Sequence, residues 1–156
     1  GRFLDTDNNR TDKPNEDAGL YLRTRPTEEH PEGRKIQGQT PDDCIIAQVG
    51  QQLEVLTGGK FLATPHVVEA PDATGYSRVS MAHFVHMNAR ETVFPLESFC
   101  TDEAAARYGP PVKAGTYNRK TLVDIGLAPD ESLDRLGYTQ YSRLDSMREA
   151  EDNAAE

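Results

Sequence analysis

The chain is poor in cysteine, short of basic residues relative to acids, and without any long apolar run. Each scarcity removes a class of protein. Two cysteines in 156 residues, Cys44 and Cys100, are too few for a disulfide-stapled scaffold and lack the spacing of a zinc pair. Cys44 stands in the apolar run Cys44-Ile45-Ile46-Ala47, where a buried, inert thiol is expected. This cysteine usage points to a reducing, cytoplasmic compartment. Lys and Arg number 17 against 26 Asp and Glu, a net charge of -9. A nucleic-acid binder carries a basic face, so this balance argues against nucleic acid as the main partner. No stretch approaches the ~20 apolar residues of a membrane span, so no membrane partner is expected.

What is present suffices for one domain's worth of core and a very polar remainder. Hydrophobic residues make up 36% of the chain, charged residues 28%, and mean hydropathy is -0.70. Residues 5–17 hold almost nothing apolar and read as a loop; 25–34, broken by Pro26 and Pro31, read as a second. Strands are expected at Gly19–Arg23, Cys44–Val49, Phe61–Glu69, Tyr76–Met87 and Thr92–Leu96, with Pro65 marking an edge or a ladder break. Leu53 and Leu56 lie one helical turn apart, closed by Thr57-Gly58-Gly59. From Glu97 onward the pattern changes to helices. One starts behind the capping residue Thr101 and runs through Ala106, and another covers Lys120–Ile125. Residues 130–156 carry eight acids against three arginines and read as a solvated, partly disordered tail. The expected architecture is mainly β with a helical C-terminal extension, divided into residues 1–97 and 98–156.

Chemistry concentrates between Leu53 and Leu96. Strand alternation through Tyr76–Met87 sets Arg78, Ser80, Ala82, Phe84 and His86 on one face, with Val79, Met81, His83 and Val85 on the other. Arg78 and Ser80 on an inner face would need an anion, and a guanidinium fork with a nearby hydroxyl suits a carboxylate. A lone strand histidine, His66, precedes them in Thr64-Pro65-His66-Val67-Val68. His30 reads as a solvated loop residue, and His83 as a core or surface residue. Tyr21 and Tyr76 are candidates for lining a pocket.

The combination of Thr64-Pro65-His66-x-Val68, a turn, Arg78-x-Ser80 and a strand ending near Phe94-Pro95-Leu96 resembles one family. It is similar to the C-terminal part of the 2-oxoglutarate and Fe(II)-dependent oxygenases of the isopenicillin N synthase-like superfamily. Gly19-Leu20-Tyr21-Leu22 and the helical turn Gly50–Gly59 extend the resemblance over residues 19–96. It implies a partial double-stranded β-helix (jelly roll). His66 becomes an Fe(II) ligand, and Arg78 and Ser80 bind the distal carboxylate of 2-oxoglutarate. The implied activity is oxidation of a small organic substrate by dioxygen, with release of succinate and carbon dioxide.

The family's other two ligands form His-x-Asp, and no histidine precedes His30 here. Asp5-Thr6-Asp7 has that form only if Asp replaces His, and the apolar strand that should follow it is missing. The better-fitting expectation places the pair upstream of Gly1, which makes the chain a fragment of an active enzyme. The alternative is a degenerate, non-catalytic jelly-roll binding module that keeps a carboxylate pocket. A cupin-like metal protein without a 2-oxo acid is disfavoured by the Arg78-x-Ser80 pair.

Overall fold

The computed structural model describes residues 1–41 and 43–134. They divide into two compact units. One is Gly1–Gln48 with Thr64–Phe84, and the other is Val49–Ala63 with the chain from Val85 onward.

The first unit holds two three-stranded antiparallel sheets. In one, β1 (Arg2–Leu4) lies between β2 (Arg10–Thr11) and β6 (Ser77–Val79). In the other, β3 (Gly19–Arg23) lies between β4 (Lys35–Gln37) and β5 (His66–Glu69). The β1–β2 turn is made by Asp5, whose Oδ1 accepts from the backbone N–H groups of Asp7 and Asn9, each at 2.9 Å. Asn8 takes the left-handed φ of 63° that such a turn requires. The expected loop at 5–17 is therefore interrupted by a two-residue strand.

The second unit is built on α1 (Gln51–Leu56), β7 (Thr92–Val93), α2 (Asp102–Tyr108), β8 (Val112–Lys113), α3 (Ala114–Asp124) and the single turn α4 (Glu131–Asp134). Strands β7 and β8 pair, and their Val93 and Val112 pack with Ala114 and Tyr117 into a small core. Helix α2 starts where the capping residue predicts: Thr101 Oγ1 accepts from the Ala104 N–H at 3.1 Å. Helix α3 begins six residues before the expected Lys120. No helix among the described residues is long and apolar enough to cross a membrane.

Helices hold more of the described residues than strands do, so "mainly β" is corrected to a mixed fold of small antiparallel sheets, none of them closed. Four expected strands explain the difference. Cys44–Val49 joins no sheet among the described residues and has no regular structure, and Ile45 is 92% exposed and the Cys44 thiol exposed rather than buried. Phe61–Glu69 becomes a strand only after Pro65, whose nitrogen has no hydrogen to give a ladder. Tyr76–Met87 shortens to Ser77–Val79 because its partner β1 is only three residues long, and Met81 beyond it is 96% exposed. A two-residue β7 replaces the expected Thr92–Leu96 strand and ends short of Pro95. The acidic tail beyond Asp134 lies outside the described residues.

Candidate functional site

The β4–β3–β5 sheet sorts its side chains by pairing, because directly opposed residues share a face. Tyr21 faces Gln37 and Val67, and Gly19 faces Glu69. This face is closed by polar contacts. The Lys35 ammonium lies 4.1 Å from the Tyr21 ring centroid and is ion-paired with Glu69, and the Tyr21 hydroxyl donates to the Glu16 carbonyl at 2.9 Å. The hydrogen bond to Glu69 raises the Lys35 ammonium above its ordinary 10.5. Buried in this way, Tyr21 is held in the fold rather than open to a pocket.

The opposite face carries Leu22 opposite both Ile36 and His66, and Leu20 opposite Val68. It is apolar apart from His66, and Val68 remains 53% exposed. The imidazole is exposed at the start of β5, where Arg23 N–H donates to the Pro65 carbonyl at 2.9 Å and fixes the strand's entry. Its Nδ1 lies 2.7 Å from Gln48 Nε2 and 3.2 Å from the Thr64 carbonyl oxygen. Gln48 Nε2 also donates to Thr64 O at 2.7 Å.

Arg78 and Ser80 are brought together in the other sheet of the unit. Arg78 Nη1 donates to Ser80 Oγ at 3.2 Å. Arg78 is half-buried opposite Phe3, and a Cβ on Gly1 would come within 2.7 Å of its Cζ. His83 and His86 lie beyond the end of β6 on exposed backbone, so alternation does not set them on faces. His30 is exposed in the 25–34 loop as expected, and Tyr76 is also exposed.

Two residues of consequence escaped the sequence reading. Gln48 ends an apolar run and gives no signal of its contact with His66. Glu54 is a charge on the apolar turn α1, and that mismatch was a usable signal. It is 6% exposed, with Oε1 accepting from Tyr108 OH at 3.0 Å and Oε2 from Ala63 N–H at 2.6 Å.

Residues 11–87 match the model of the 2OG-Fe(II) oxygenase superfamily, a span that contains His66, Arg78 and Ser80. The chain belongs to this superfamily. Membership of the superfamily implies Fe(II) and 2-oxoglutarate as cofactors. Similar relatives are the 1-aminocyclopropane-1-carboxylate oxidases of Musa acuminata, 34% identical over 47% of this chain and 24% of the relative, and of Dendrobium crumenatum, 32% identical over 51% and 23%. The 2-oxoglutarate-Fe(II) type oxidoreductase ppzC of Metarhizium majus is 29% identical over 49% of this chain and 20% of the relative. The matches thus span about a quarter or less of these relatives' length. No solved structure matches the chain.

The described residues by themselves do not fit an iron ion. No group of three or more His, Cys, Asp or Glu side chains among them could hold a metal. Asp5, the residue that an Asp-x-Asp variant would need, spends its Oδ1 on the β1–β2 turn. Ligation by two histidines and a carboxylate would need donors beyond His66.

Proposed function

We propose that this chain supplies the C-terminal part of a 2-oxoglutarate- and Fe(II)-dependent oxygenase that acts with dioxygen on a small organic substrate in the cytoplasm. The observation that carries the reading is the family match over residues 11–87, which brackets a strand-borne histidine and an arginine hydrogen-bonded to a serine. Arg78 binds the distal carboxylate of 2-oxoglutarate through its guanidinium fork, and the Ser80 hydroxyl adds a further hydrogen bond. His66 is one ligand of the iron, and the His-x-Asp pair belongs to polypeptide outside these 156 residues. In the assembled enzyme, residues 1–97 contribute to one jelly roll, and α2 and α3 belong to its helical extension. When bound, iron with 2-oxoglutarate supplies the oxidative decarboxylation that releases succinate and carbon dioxide.

Calorimetry with 2-oxoglutarate on the chain and on Arg78→Ala tests the co-substrate assignment. Measurable binding that Arg78→Ala abolishes is the expected result. Equal affinity in the two would sink it.

A second reading, a binding module that keeps the carboxylate pocket without metal, is favoured by the lack of a metal-holding group among the described residues. Anaerobic addition of Fe(II) and 2-oxoglutarate separates the two once the chain is joined to an upstream segment carrying His-x-Asp. A visible charge-transfer band supports the oxygenase, and its absence with intact 2-oxoglutarate binding supports the module.

A further inference from the structure

We infer that Gly1 is a positioning residue of the Arg78–Ser80 site: the space left by its missing side chain seats the guanidinium where Nη1 reaches Ser80 and where Nε and Nη2 stay open to a carboxylate. The inference rests on the reading of Arg78 and Ser80 as the co-substrate's carboxylate site and adds what keeps that site open.

The β1–β6 register brings the three residues together. Arg2 pairs with Val79 and Phe3 with Arg78, so one step further the ladder sets Gly1 across from Ser80. Opposed residues and alternate residues share a face, which puts Gly1 and Phe3 on the same side of the sheet as Arg78 and Ser80. A Cβ built on Gly1 would stand 2.7 Å from Cζ, 2.7 Å from Nη2 and 2.9 Å from Nε of Arg78. An approach along the edge of the guanidinium would bring the two nitrogens nearer than the carbon. Nearly equal distances mean that the flat side of the group lies over Gly1.

A guanidinium seated on its flat side directs its N–H groups sideways. One of them, on Nη1, goes to Ser80 Oγ at 3.2 Å. Because that oxygen accepts, the Ser80 hydroxyl keeps its own hydrogen for a ligand oxygen. No hydrogen bond or ion pair with another described residue occupies Nε or Nη2. These donors, with the serine hydroxyl, suit the two oxygens of one carboxylate. Any β-carbon at position 1 would meet the flat side below 3.0 Å, and the guanidinium would have to retreat until contact is ordinary, at 3.4 Å or more. The retreat costs little stability, since only the far end of a flexible side chain moves. At the site it costs more, because the Nη1–Oγ bond at 3.2 Å is already at the long end of its range. Position 1 therefore accepts a larger residue for folding but not for binding.

The test uses the metal-free 156-residue chain, Gly1→Ala, Ser80→Ala and the double variant. The Nε–H correlation of Arg78, assigned by its loss in Arg78→Lys, is read without ligand, and 2-oxoglutarate binding is read by calorimetry. Gly1→Ala should move the Arg78 signal and weaken 2-oxoglutarate by about three- to tenfold. Ser80→Ala should cost about three- to tenfold in the wild-type chain and less than about twofold once Gly1→Ala is present. Unchanged amide signals from Arg2–Leu4 show that the ladder is intact; should they move, Gly1→Val provides the same comparison. An unmoved Arg78 signal in a folded Gly1 variant, or two costs that simply add, overturns the inference. If the signal moves in Gly1→Ala but none of these proteins binds 2-oxoglutarate, the seating of Arg78 by Gly1 stands and the co-substrate reading of Arg78 and Ser80 falls.

Discussion

Tyr108, the last residue of α2, donates its hydroxyl hydrogen to Glu54 Oε1 in α1 at 3.0 Å, across 54 residues of sequence. With Ala63 N–H on Oε2, both oxygens of a buried carboxylate are satisfied. An unsatisfied buried charge is costly, so this contact joins helix to helix more firmly than its single bond suggests.

Tyr108→Phe removes only that hydroxyl. The expected loss is about 1–3 kcal/mol of stability, read as a lower urea midpoint with unchanged slope. A variant as stable as wild type would mean that Glu54 finds other partners.

Gly58 has a φ of 57°, and a Cβ there would lie 2.5 Å from the Phe99 carbonyl oxygen. Both the conformation and the space exclude a side chain. Gly58→Ala should therefore cost at least about 1 kcal/mol in the same denaturation experiment, more than a permissive surface glycine would.

The Lys35–Glu69 pair makes a prediction about pH. A raised folded-state value means that the contribution of Lys35 is fully present below its unfolded value near 10.5 and is lost as pH rises through the higher folded value. Wild type should therefore exceed Lys35→Met in stability at about pH 8, and the difference should close at alkaline pH above 10.5. Because the pair is exposed, the effect is small and screened by salt.

At the Arg78–Ser80 pair, Ser80→Ala should weaken 2-oxoglutarate binding by about three- to tenfold, the worth of one hydrogen bond. Arg78→Lys should weaken it further, since an ammonium lacks the planar fork. Calorimetric titration of both variants checks the order. Arg78→Lys binding as well as wild type would argue for a simple charge contact.

Local chemistry made some of this structure legible in the sequence. Gly19–Arg23, the turn Gln51–Leu56 and the Thr101 cap stand where propensity and capping place them. Alternation set Arg78 and Ser80 on one face, and their side chains do lie within 3.2 Å of each other. Strand existence at 44–49 and 80–87 was misjudged because alternation records a preference, whereas a strand also needs a partner edge. No sheet among the described residues includes either segment. Nor could sequence place Gln48 against His66, since that contact depends on how an irregular segment lies across a strand rather than on a period.

The face on which His66 stands is a matter of parity. Leu22 opposite His66 puts the imidazole among Leu20, Ile36 and Val68. One residue inserted after Pro65, with the rest of the ladder held, would turn every side chain of β5 over. His66 would then move to the Lys35 and Tyr21 side, and the inserted residue would take its place opposite Leu22. Insertions of one residue and of two should therefore behave as opposites at this point, the odd one misdirecting the imidazole and the even one restoring its side of the sheet. The length of the connection, counted modulo two, carries as much information as the histidine itself.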